Sequence, residues 1–174
     1  MKYVKMHSFR EHQMLNDPRF KKAYDRPTKI DKTYDIPYVG GYSSDGKTIY
    51  FDRHMKEIFN GKSIIPFLLV HERTEKSLMN VFGLSYQQAH HIATYVEMHA
   101  VEKAGLNWRD YSKHIDTYVK LDAHEQLKRV PKDLDLKPYR DERDNRLYFT
   151  LAKKEKIQSK PGNGKEVPYP VGKK

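Results

Sequence analysis

The residues best equipped for chemistry stand together in Pro66–Met79, which carries His71, Glu72 and Glu75. At about 3.6 residues per turn, Phe67, Leu68, His71, Glu75, Leu78 and Phe82 share one helical face. That face is apolar except for a histidine and a carboxylate one turn apart. An ionised carboxylate buried without a partner costs several kcal/mol, so the pair needs either a metal that takes both side chains or a mutual hydrogen bond. The spacing His71-Glu72-x-x-Glu75 follows H-E-x-x-H, whose first and last residues reach one zinc while the intervening glutamate acts as general base. Glutamate is an acceptable zinc ligand, and Glu72 keeps the place of the base. A third ligand has to come from elsewhere in the chain. The stretch after Ser85 offers Glu97 or His90, and His54 is a lesser candidate.

The elements that must position these groups are readable around them. Ile36–Phe51 contains Asp45-Gly46 between two β-rich runs, which signals a hairpin because the turn needs positive φ. Alternation puts Ile49 and Phe51 on one face, and Tyr50, Asp52 and His54 on the other. Pro37 belongs at the start or edge of the first strand. His54–Asn60 reads as a short helical turn closed by Gly61. Pro66 fits the first turn of the central helix and Gly83 its end. Ser85-x-x-Gln88 forms a capping box for a second helix, running to Lys103-Ala104 before Gly105. Its core stripe is Ala89, Ile92, Ala93, Val96 and Ala100, with His90, Thr94 and Glu97 along the stripe's edge. Asn107 caps a third helix in which Trp108, Tyr111, Ile115, Tyr118 and Leu121 recur at helical spacing. Asp17-Pro18 starts a short helix through Tyr24. Arg73 and Lys76 point away from the apolar face of the central helix and read as solvated.

In order and in motif, residues 36–104 resemble the zincin metallopeptidases: a strand, an H-E-x-x-(H/E) helix, then a ligand-bearing helix. In glutamate-ligand zincins the third ligand comes from the second helix, which implies Glu97 here. The chain departs from the family at Glu75, where histidine is expected. Tyr50-Phe-Asp-Arg-His54, His71–Glu75, Gln88–Thr94 and Val130–Asp135 are together similar to uncharacterised phage and prophage proteins.

Composition limits the alternatives. The 174 residues include no cysteine, so a metal would rely on carboxylates and the nine histidines. A net charge of +10 with 32% charged residues favours solubility and non-specific attraction to polyanions. No apolar run is long enough to span a bilayer, and Met1–Lys5 has no signal-peptide core, so a soluble cytoplasmic protein without membrane contact is expected. No P-loop, dinucleotide turn, G-x-S-x-G or sequence-reading nucleic-acid motif is present.

The expected fold is α+β: a small hairpin-based sheet packed on about three main helices, zincin-like over residues 36–130. An N-terminal arm covers 1–35, an extended arm with short secondary structure 131–159, and a disordered basic tail 160–174. The expected function is metal-dependent peptide hydrolysis. His71, Glu75 and Glu97 hold zinc or another divalent metal, Glu72 is the general base, and His90 orients a ligand or stabilises the oxyanion. The alternative is a non-catalytic phage-type protein whose basic tails and surface bind nucleic acid or an assembly partner.

Overall fold

A computed structural model describes residues 8–119, 127–141 and 149–153. The fold is α+β. Helices α1 (Phe9–Asn16) and α2 (Pro18–Tyr24) lead into strands β1 (Lys29–Tyr34), β2 (Gly40–Tyr42) and β3 (Thr48–Asp52). A two-residue pair, β4 (Ile58–Phe59) and β5 (Lys62–Ser63), precedes the long helices α3 (Ile65–Phe82) and α4 (Tyr86–Lys103). Then come α5 (Trp108–Asp116) and α6 (Lys137–Asp141), and residues 149–153 are helical. No helix among the described residues is long and apolar enough to cross a membrane.

The expected hairpin forms: β2 pairs antiparallel with β3, Gly41 opposite Tyr50, around Gly46 at φ 71°. Its first strand begins only at Gly40. The stretch expected to lie in an N-terminal arm supplies a third strand, β1, parallel to β3, giving the order β1-β3-β2. The arm also contains α1, whose capping box of Ser8 and Glu11 was the available signal. That helix buries no residue fully, and only Met14 and Leu15 lean on the core. The turn expected over His54–Asn60 is instead a second hairpin, β4-β5. Asn60 and Gly61 adopt φ 47° and 76°, the positive pair that suits a two-residue hairpin turn.

The central helix has the expected limits. Pro66 lies in its first turn, and Gly83 closes it at φ 65°, donating to the Met79 carbonyl. The capping box of Ser85 and Gln88 starts α4, and Asn107 caps α5. α5 stops at Asp116, short of Leu121, which lies outside the described residues.

β3 is buried on both faces. Ile49 and Phe51 pack with Val39, Ile64, Phe67 and Tyr111 in the main core. Tyr50 turns the other way, into a second cluster with Ile36, Leu134, Tyr139 and Leu151. The segment expected as an arm beyond residue 130 thus forms a layer of core against the sheet. Leu134 sits in the bridge from that segment to Ser43, at the end of β2. A third cluster, including Phe20, Leu78 and Ile92, fixes α2 and α4 against α3. The tail expected to be disordered from residue 160 lies outside the described residues.

Candidate metal centre

α3 and α4 face each other across the site, and β2 runs along its rim. The chemistry-bearing residues of α3 are all buried: His71, Glu72 and Glu75, with Glu97 opposite on α4. They line a cleft of about 450 Å³ that also takes in His90, Tyr86, Tyr111, Gly40 and Tyr42.

Three ligand atoms converge. His71 Nε2 lies 3.1 Å from His90 Nδ1. His90 Nδ1 lies 3.0 Å from Glu75 Oε2, which lies 3.5 Å from His71 Nε2. Ligands about 2.05 Å from a tetrahedral zinc are separated by about 3.3 Å. The triangle has edges of that size, so two imidazoles and a carboxylate are already spaced for one small divalent ion.

Glu97, expected as the third ligand, is on the opposite side of His71. Its Oε2 is 2.8 Å from His71 Nδ1, and its Oε1 accepts from the Tyr111 hydroxyl at 2.6 Å. The two nitrogens of an imidazole diverge, so one ion at Nε2 cannot also reach a carboxylate on Nδ1. A carboxylate at Nδ1 fixes the hydrogen there and leaves the Nε2 lone pair free for a metal. His90 takes the third corner. His90 and Glu97 lie on the edge of α4 that sequence spacing indicated, about two turns apart, and spacing alone could not decide which reaches Nε2. His54 is elsewhere: its Nε2 lies 3.1 Å from Asp35 Oδ1, and it does not line the cleft.

The electrostatics follow the geometry. Burial works against the charged form of His71, but Glu97 and Glu75 outweigh it and hold the imidazole well above its usual value. Burial also pushes Glu75 up, and its bonds to His71 and His90 more than reverse this, leaving it lowered. For Glu72 the charges of His71 and Lys76 pull downward but are outweighed. Burial first, and the nearby Glu75 charge second, push it up to about 8. Burial and Glu97 raise the Tyr111 phenol, keeping it a hydrogen-bond donor. His90 is the open corner, with 45% of its side chain exposed against 10% for Glu75.

Sequence reasoning missed two supporting parts. Tyr111 was legible as a core residue of α5, but nothing in the spacing tied its hydroxyl to Glu97. Gly40 was legible as part of a strand, yet its role is to leave room: a Cβ there would collide with the Glu72 carboxylate and stand 2.8 Å from its Cδ.

No family model, curated protein or solved structure matches the chain, so the reading of this site rests on its own geometry.

Proposed function

We propose that the protein is a metal-dependent hydrolase of zincin type, acting on a peptide bond. The observation that carries this reading is the triangle of His71 Nε2, His90 Nδ1 and Glu75 Oε2 beside the buried Glu72. His71, Glu75 and His90 hold a divalent ion, with zinc the choice favoured by two imidazoles. When bound, the ion supplies Lewis-acid polarisation of water and substrate carbonyl. Glu97 orients His71 and is itself held by Tyr111. Glu72 takes the proton that water releases on attack and returns it to the departing amine.

Metal content of the purified protein tests the reading. About one equivalent of divalent metal, lost in His71→Ala, Glu75→Ala and His90→Ala but kept in Glu72→Gln, is expected, with Glu72→Gln inactive on peptide substrates.

A second reading is favoured by the same distances, which also suit hydrogen bonds: a non-catalytic protein whose buried His71–Glu75–His90–Glu97 cluster only holds α3 to α4, and whose basic surface binds a partner. Absence of metal, with the same variants merely less stable, would select it.

A further inference from the structure

On the flank of α3 away from the His71 cluster lies a second cavity of about 380 Å³, bounded by α2, the β2–β3 turn and α3. Its charges are lopsided: Arg19, Lys22, Arg26 and Lys76 against Asp45. Arg19 is already bridged to Asp17 at 2.8 Å and Lys76 to Asp135 at 2.6 Å. Asp45 is engaged by Lys47 at 3.4 Å and by the Ser43 hydroxyl at 2.7 Å. Lys22 and Arg26 face the cavity with no carboxylate partner among the described residues.

Arg73 adds the second observation. The sequence pattern sends it to solvent, but it is only partly exposed, and its Nη2 donates to Thr28 Oγ1, on the cavity wall, at 3.3 Å. Its Nε is buried and makes no hydrogen bond among the described residues. The Arg73 charge also acts on the phenols of Tyr24 and Tyr42, both of which line this cavity. A guanidinium held this close by one hydroxyl, with a donor left over and no carboxylate partner among the described residues, is an unfinished ion pair, which burial makes costly. The Arg73 side chain is not on the cavity wall itself, so it acts on an anion there through the Thr28 hydroxyl, and a guanidinium favours phosphate oxygens over any neutral group. The hydroxyls of Thr28 and of buried Ser77 complete a donor-rich wall.

We infer that this cavity is a phosphate-binding site, taking a backbone phosphate of a nucleic-acid strand or the phosphate of a small soluble compound. Lys22 and Arg26 meet the anion at the mouth, and Arg73 stands behind Thr28. The site is independent of the metal centre, sharing with the first cleft only the Tyr42 and Lys76 side chains.

The test uses the full chain with a chelator present. The Arg73 Nε–H resonance is followed by NMR during titration with sodium pyrophosphate, and binding of a labelled short single-stranded DNA is measured over a range of salt. Charge reversal at the mouth (Lys22→Glu with Arg26→Glu) is compared with the same reversal at exposed positions outside the cavity (Lys62→Glu with Lys103→Glu). The expected result is a shifted Arg73 resonance, at least about a tenfold loss of affinity for the first pair, and a salt slope reduced by roughly 2. The control pair should lose far less. An unmoved Arg73 resonance overturns the site, and so does an equal loss in both pairs, which would mean a diffuse positive field. DNA that displaces pyrophosphate from Arg73 identifies the strand as source. Pyrophosphate that binds there and is not displaced identifies a small phosphate compound.

Discussion

The behaviour of the candidate metal centre turns on which nitrogen of His71 each carboxylate meets. Glu97 holds Nδ1, so it should act on the metal through the imidazole alone. Glu97→Gln is therefore expected to keep the site but weaken metal affinity by about 10–100-fold, measured by competition with a chromophoric chelator. Unchanged affinity would mean that Glu97 serves only the contact with Tyr111. The same residues set a pH dependence in the metal-free protein. Glu72 rises from 4.5 to about 8 on folding, and His71 rises above 6.5. Both make the native state hold more protons than the unfolded chain, so stability falls as pH rises through this window. Glu75 is lowered, and its contribution is lost only on acidification below its unfolded value of 4.5. Denaturant midpoints in chelator should thus decline from about pH 5 to about pH 8, and Glu72→Gln should flatten the decline. A midpoint that rises over this range would contradict the arrangement of the three side chains.

Among the elements, those with strong local signals were legible in the sequence. Pro66 and Gly83 delimit α3, the Ser85–Gln88 box starts α4, and Asp45-Gly46 marks the β2–β3 turn. What could not be read depends on partners distant in the chain. β1 is largely exposed and lies parallel to β3, so neither alternation nor a hairpin turn announces it. Asn60-Gly61 was a hairpin turn in plain view, obscured because β4 and β5 are only two residues each. His90 and Glu97 were narrowed to the right edge of α4, but their positions along α4 relative to the two nitrogens of His71 decided their roles. Gly40 shows how an element's position becomes a constraint on chemistry. Since β2 passes against Glu72, Gly40→Ala should force that flexible carboxylate aside while leaving His71, Glu75 and His90 in place. Metal content should be unchanged, while the hydrolysis proposed for this site falls by about tenfold or more if Glu72 is its base. Loss of metal in this variant would show instead that the whole rim of the cleft had shifted.

At the scale of the whole molecule, the sheet is covered on both faces, and the second cover comes from the C-terminal third of the described chain. Composition argues against this: after Val130 the sequence is charged and carries few apolar residues, which reads as an arm. Three of them are nonetheless buried, since Leu134 is 3% exposed, Tyr139 2% and Leu151 0%, while Phe149 stays exposed. Polar links bind the same layer to the cleft. Asp135 donates its N–H to the Tyr42 carbonyl at 2.7 Å and accepts from Lys76 at 2.6 Å, and Tyr50 donates to Asp133 at 2.7 Å. The two positions therefore have different expected consequences. Leu151→Ala leaves a cavity in the second core and should cost about 2–5 kcal/mol in urea unfolding, whereas a residue on a solvated arm would change stability by about 0.5 kcal/mol or less. Leu134→Ala should cost a similar amount and also loosen the bridge from Ser43 to the segment carrying Asp135, lowering metal affinity along with stability. A small effect at both positions would return the segment to the status of an arm. A large effect at both, with metal binding altered only at Leu134, would establish it as the layer that holds β2 against the site.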